Sequence, residues 1–293
     1  MGEADLVTTP TQSDTAPQAT AVPDSTASPI FRRIARRVGR GVLSGVITLA
    51  VVLGAWVLFL KAFHVSPFVG KGPADVWRYV TSGATASANR QELIQESGIT
   101  LRDAFLGLAG GTVAAVLCAI GFNLSRAVSS TFMPLAMVLR SVPLVAMTPL
   151  IVAIFGRNLV AITVITGIVT FFPTLVYVTL ALRRTPQESL DLSWAYGGSR
   201  AKTLWKIQIP SALPSLFASL RIAAPLSLVG ALLAEWLATG QGLGWSMIES
   251  ATLSDYTGLW TRVVLITAYS AILYKVVGTV EGQVLRKFGA TTG

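Results

Sequence analysis

The residues that could do chemistry in this sequence are few and far apart. There is one histidine, His64, and one cysteine, Cys118, so neither a His-based metal pair nor an intrachain disulfide can form. No GxxxxGK run followed by Ser or Thr is present, and Gly110-Gly111 lies in an apolar stretch that offers no phosphate cradle. No catalytic, cofactor-binding or metal-binding residue is therefore assigned. What remains are ionisable groups set inside apolar runs: Arg140, Arg221, Glu235, Lys275 and Glu281. Such a charge costs about 2.5–3.5 kcal/mol at a helix centre on insertion scales, so each needs a reason. Arg221 and Lys275 are long enough to snorkel to an interface, and Lys275 and Glu281 stand near the end of the last run. Arg140, followed by Ser141, Val142 and Pro143, is a candidate pathway or gate residue, as is Pro143 itself. Glu235, ahead of Gly240, Gly242 and Gly244, is the third candidate, where a mouth could be lined. A structural ion pair is the competing reading for both charges.

The elements that must hold these groups are membrane spans. Apolar residues make up 52% of the 293, charged residues only 13%, and the mean hydropathy is +0.63. A soluble domain carries about 25% charge. The net charge of +9 hides an asymmetry, because residues 1–28 hold Glu3, Asp5, Asp14 and Asp24 and no Lys or Arg. The basic residues cluster at the ends of apolar runs, which reads as membrane topology and not as a nucleic-acid surface.

Residues 1–30, rich in Thr, Ala, Ser and Pro, read as a disordered tail. Five arginines follow at 32–40, then an apolar run at 41–63 that is too long for a cleaved signal peptide. Residues 64–100 read as a loop with a short helix. Further runs at 101–122, 131–155, 159–182, 213–238 and 259–284 complete six spans. Gly107, Gly111 and Ala115 recur every fourth residue, a pattern that lets helices approach closely. Pro134, Pro143 and Pro149 predict that the third span is bent or broken. Six spans put both termini on one side. Lys and Arg flank that side thirteen times and the other six times, which predicts cytoplasmic termini.

Between the fourth and fifth spans lies a polar island, 185–210. Thr185-Pro186-Gln187-Glu188 predicts a capping box with proline at the first helical position. Gly197-Gly198 predicts a bend, Ser199 a cap for a second short helix, and Ile209-Pro210 its end.

The island resembles the EAA loop of ABC importer permeases, whose pattern is Glu-Ala-Ala, three residues, Gly, nine residues, Ile-x-Leu-Pro. Here nine residues separate Gly197 from Ile207, and Ile209-Pro210 follows, while Asp191-Leu192-Ser193 stands in place of Glu-Ala-Ala. Leu139-Arg140-Ser141-Val142-Pro143, Pro149-Leu150 and Phe155-Gly156 are similar to the third-span signature of the nitrate/sulfonate/taurine branch. Phe171-Phe172-Pro173, Leu213-Pro214, Leu220-Arg221, Ala234-Glu235 and Gly242-Leu243-Gly244 continue it in order.

The resemblance implies an all-α integral membrane protein with six transmembrane helices, of the type I (MetI-like) permease fold, in the cell's inner membrane. It implies a permease core at 97–288, after a first span and external loop at 31–96 and before a short C-terminal tail at 289–293. It also implies a non-catalytic subunit whose partners are an ATPase dimer, an external substrate-binding protein, a second permease copy and lipid, with no nucleic acid. The ATPase would grip Glu188, Asp191, Ser193, Trp194, Tyr196, Gly197, Ser199, Trp205, Ile207 and Pro210. The branch implies a small solute such as a sulfonate, taurine, nitrate, bicarbonate or a thiamine-precursor pyrimidine. A self-sufficient secondary transporter or channel is the rival, and it predicts inverted repeats and midplane charges on broken helices.

Overall fold

The computed structural model describes residues 29–287, and every element among them is helical. Residues 1–28 of the expected tail, and the C-terminal tail at 289–293, lie outside the described residues. The chain divides into two compact units at Trp56/Val57. Helix α1 (Pro29–Ala62) runs through the first unit, and its segment Leu43–Ala62 is apolar all round, as a lipid-facing helix is.

The second unit takes in the last turns of α1 and then α2 (Pro73–Thr81), where proline starts the helix and Asp75 closes its first turn. The Gly72 N–H donates to Asp75 Oδ2 at 2.9 Å, and with the Arg78 guanidinium it holds that carboxyl below its usual range.

Helix α3 (Ala86–Leu124) begins at Ala86, well before the run expected at 101–122. Hydropathy conceals the extra turns because they are rich in polar residues, of which Glu96, Ser97 and Thr100 are buried against protein.

The third expected span is two helices, α4 (Arg126–Ser141) and α5 (Leu144–Phe155), meeting at 105°. Pro143 is the cause. It forces Val142 into an extended conformation (φ −73, ψ 126) and becomes the N-cap of α5. Five other helices are long and apolar enough to cross a membrane, and this bent pair brings the total to as many as six.

Helix α6 (Leu159–Arg183) is capped by Asn158, whose Oδ1 accepts from the backbone N–H groups of Val160 and Ala161. After it come α7 (Gln187–Ala195) and α8 (Arg200–Thr203). Pro210 does not end α8, contrary to the sequence expectation. A π-helical turn, Leu204–Gln208, leads directly into α9 (Ile209–Ala234), and a second π-turn, Glu235–Thr239, extends it. Within the first π-turn Ile209 N–H bonds Leu204 O, five residues back, which resets the register just ahead of the proline. Pro210 then occupies a first turn, where its missing donor is not needed. The expected loop at 239–258 contains α10 (Leu243–Thr252), and α11 (Tyr256–Lys287) closes the chain.

Helix α6 packs against both α3 and α9, and α11 lies on α9. The small-residue stripe on α3 makes this approach possible. A Cβ on Gly111 would sit 2.4 Å from the carbonyl oxygen of Gly167, and one on Gly107 2.1 Å from Thr166 Cγ2. From the other side a Cβ on Gly230 of α9 would sit 2.9 Å from Thr166 Cα, so α3 and α9 both close on one turn of α6. Thr170 Oγ1 crosses the seam to donate to Gly107 O at 3.2 Å.

Candidate functional site

The polar island forms a bent foot joining the end of α6 to the start of the α8–α9 path. Its entry is built differently from the predicted capping box. Thr185 Oγ1 donates back to Leu182 O at 3.1 Å, the N-cap is Pro186, and no side chain caps the helix ahead. The bend itself is a Schellman motif. Gly197 N–H bonds Trp194 O at 2.9 Å, Gly198 N–H bonds Ser193 O at 2.8 Å, and Gly197 holds φ +72. Both glycines are required, since a Cβ on Gly198 would fall 2.3 Å from Ser193 Oγ.

Side chains then fix the two arms. Ser193 and Thr203 share a hydrogen bond of 2.7 Å across the bend, and Ser199 Oγ accepts from Lys202 N–H at 3.3 Å. Gln208 reaches two elements at once. Its Oε1 accepts from Asn123 Nδ2 of α3 at 2.8 Å and its Nε2 donates to Leu182 O of α6 at 3.3 Å. Arg183 donates to Ser129 Oγ of α4. Leu204 buries itself with Leu182, Phe122 and Ala212 in one apolar cluster. The foot is thus pinned to α3, α4, α6 and α9.

Its other face has no such partners. Tyr196 is 85% exposed, Trp205 65%, Leu192 60% and Trp194 51%. Glu188 and Asp191 are exposed too, and Asp191 accepts from Gln187 Nε2 one turn earlier. Ile207 and Pro210 are half-buried, on the side that joins the helical core. Clefts of about 870 and 640 Å³ flank α7, and Asn123, Gln187, Leu190 and Gln208 line both.

The candidate pathway residues do not assemble with one another. Arg140 and Pro143 are exposed at the α4–α5 break, and Arg140 makes no ion pair among the described residues. Glu235 is 0% exposed. Its Oε2 accepts from Gly244 N–H at 2.7 Å, and Thr100 Oγ1 takes the neighbouring Leu243 N–H at 3.0 Å. Glu235 therefore caps α10 from below, in a slot that only glycine can cover. Gly242 lies at φ +87, and a Cβ there would sit 2.5 Å from the carboxyl carbon.

Arg221 pairs with Glu281 at 3.4 Å and lies 4.5 Å over the Tyr274 ring, with Gly278 leaving room for its guanidinium. This places Arg221 between α9 and α11, where it is a structural partner and not only a snorkelling chain.

Sequence reasoning passed over the strongest cluster. Arg262 of α11, 2% exposed, donates Nε and Nη2 to the two oxygens of Glu96, each at 2.8 Å. Nη2 also meets Glu92 at 2.6 Å and Nη1 meets Ser250 at 3.1 Å. The available signal was a pair of glutamates four apart, Glu92 and Glu96, with a lone arginine early in the last apolar run. Asp103, likewise buried, was overlooked beside its partner Arg102.

Comparison with known proteins adds an independent line. The family described as binding-protein-dependent transport system inner membrane component matches residues 111–288. A probable ABC transporter permease protein of Haemophilus influenzae is 30% identical over 182 residues, covering 62% of this chain and 74% of the relative. The formylaminopyrimidine transport permease of Halalkalibacterium halodurans is 27% identical, covering 64% of this chain and 74% of its own. Among solved structures, a chain of the MetNI methionine ABC transporter in an inward-facing conformation matches at 20% identity with a TM-score of 0.54. That match covers 70% of this chain and 99% of the other.

Proposed function

This chain belongs to the family of binding-protein-dependent transport system inner membrane components, and from that premise we propose that its bent foot receives the work of a separate ATPase. As an ABC importer permease it is a multi-pass inner-membrane protein. The observation that carries the coupling reading is the foot's two-sidedness. One face is pinned to four core helices, and the other presents Leu192, Trp194, Tyr196 and Trp205 to solvent. Exposed aromatics set around a rigid bend are the kind of anchor that protein interfaces use.

In this reading Glu188, Asp191, Ser193, Trp194, Tyr196, Gly197, Ser199, Trp205, Ile207 and Pro210 form the docking element. Ser193, Ser199 and Gly197 shape it, while the aromatics and carboxylates make the contact. A push on α7 reaches α6 through Leu182 and α9 through Gln208, so closure of the ATPase pair moves two spans together. Both termini and the foot lie in the cytoplasm, as the excess of Lys and Arg on that side favours. A second copy of the chain completes the pathway, lipid surrounds α1, and an external binding protein delivers the solute. That solute is small, of the sulfonate, taurine, nitrate, bicarbonate or thiamine-precursor class. Arg140, Pro143 and Glu235 are proposed to shape the pathway, the first two at the α4–α5 break and the third by holding α10.

The test uses the permease–ATPase complex in proteoliposomes with binding protein inside or outside. Gly197→Val places a β-branched residue at φ +72, and Asp191→Arg reverses a docking charge. Both should insert normally yet lose stimulated ATP hydrolysis and uptake by about tenfold or more, as an interface anchor worth about 2 kcal/mol implies. Wild-type stimulation in both variants would overturn the reading.

A further inference from the structure

The second half of α11 carries cations that its neighbours do not neutralise. Arg221 of α9 meets Glu281 at 3.4 Å and lies 4.5 Å over the Tyr274 ring, yet its side chain stays 41% exposed. Lys275 and Arg286 of α11 are exposed as well, and neither forms an ion pair among the described residues. Neither α9 nor α11 holds another carboxylate, so three cations share Glu281 alone. We propose that this cluster binds the headgroup of one anionic phospholipid, at the membrane surface on the side where α9 begins. The inference goes beyond the coupling reading and does not depend on it.

Helical spacing gathers the cations. Gly282 and Arg286 stand seven and eleven residues after Lys275, which puts all three on one face of α11. Arg286 Nε donates to Gly282 O at 3.1 Å, so that side chain folds back one turn towards Lys275. Two glycines keep the ground between them low. A Cβ on Gly278 would sit 3.2 Å from Arg221 Cζ, whereas one on Gly282 would meet nothing within 4 Å. Arg221 therefore reaches across α11 at the first glycine, and the second leaves an open notch one turn further on.

Depth and surroundings select a lipid as the partner. About 20 helical residues cross the hydrocarbon. Counted from Val263, just after the protein-bound Arg262, they end at Gly282. The cluster thus stands where acyl chains give way to headgroups, a level that long Lys and Arg stems reach along apolar surface. The same helix exposes Ile272, Val276 and Val280, an aliphatic row for acyl chains to cover. A cation beside such a row is costly without a counter-charge, and a lipid phosphodiester supplies one without leaving the membrane. A zwitterionic headgroup would bring its own ammonium into a site where cations already outnumber carboxylates. A net-negative headgroup such as phosphatidylglycerol avoids that repulsion.

Native mass spectrometry of the solubilised protein, with its ATPase bound or stripped, would read the lipid retained from mixed micelles. The wild type should hold phosphatidylglycerol about tenfold or more tightly than phosphatidylcholine. Lys275→Gln and Arg286→Gln should each weaken phosphatidylglycerol by about fivefold, the usual contribution of one cation near an anionic surface. Lys275→Arg should keep wild-type retention. Lys202→Gln, which removes the same charge from an exposed site on α8, should also leave it unchanged. Equal retention of the two lipids by the wild type would overturn the assignment, as would equal weakening in Lys202→Gln. Displacement of the lipid by millimolar inorganic phosphate would show a site for a soluble anion and overturn it too. Arg286→Gln carries the test should Lys275→Gln lower the unfolding midpoint. No ATP or solute enters the measurement, so failure of this site leaves the coupling reading standing, and failure of coupling leaves this site standing.

Discussion

At the scale of single residues, buried charge is arranged in two contrasting ways. Arg262 is satisfied on nearly every side, and its side chain is only 3% exposed against 10% for Glu96. Removing one partner of such a pair strands the other, which costs about 3–5 kcal/mol, whereas replacing both with neutral groups costs far less. Arg262→Met should therefore lower the thermal unfolding midpoint of the detergent-solubilised protein markedly. The double variant Arg262→Met/Glu96→Gln should recover much of that loss, since Glu92 is half in solvent and needs no rescue. Additive single effects, with no recovery, would show that the network contributes little as a unit. Glu235 is the opposite case, with one oxygen on Gly244 N–H and Oε1 unpartnered. The sequence singles out Glu235 as a carboxylate inside an apolar run, and the side chain is buried. It could not show that the glycines after it close over the side chain, because that needs the fold of the turn and not its composition. Gly242→Ala tests the point. It should destabilise the protein by about 1–2 kcal/mol from the left-handed φ alone, and more from the clash with the carboxyl.

At the scale of elements, the helices most faithfully read from sequence are those whose two faces differ only in side-chain size. The stripe Gly107, Gly111 and Ala115 pointed to a close helix pair without naming the partner, which is α6. Gly111→Ala should cost about 1–3 kcal/mol, because its Cβ would meet the Gly167 backbone, which cannot rotate away. Retention of wild-type stability would mean that α3 and α6 can slide apart, and would weaken the idea of a rigid bundle. Elements whose polar residues turn inward were harder to read. The first turns of α3 resembled a loop because Glu92 and Glu96 lower the local hydropathy, yet the Arg262 guanidinium meets both. Pro143 was legible as a break, since the residue before a proline leaves the helical region whatever surrounds it. Pro210 was not, because a π-turn just ahead of it changes which backbone groups need partners.

At the scale of the whole molecule, sidedness is the property on which the proposed mechanism turns, and the excess of Lys and Arg on one side supports it. The foot follows the end of α6 and Arg157 precedes its start, so one experiment can place both ends of that helix. The lone native thiol, Cys118, makes that experiment clean. In a Cys118→Ala background, Tyr196→Cys puts a thiol at the most exposed aromatic of the foot, and Arg157→Cys puts one at an exposed position just before α6. A membrane-impermeant maleimide should label Tyr196→Cys in inverted vesicles stripped of ATPase and leave it unlabelled in intact spheroplasts. Arg157→Cys should show the reverse. Rebinding the ATPase should then protect Tyr196→Cys, because docking removes that side chain from water, while labelling of Arg157→Cys should not change. If the two thiols exchanged sides, the foot would face away from any cytoplasmic nucleotide, and its polished aromatic face would have to meet a partner outside the cell.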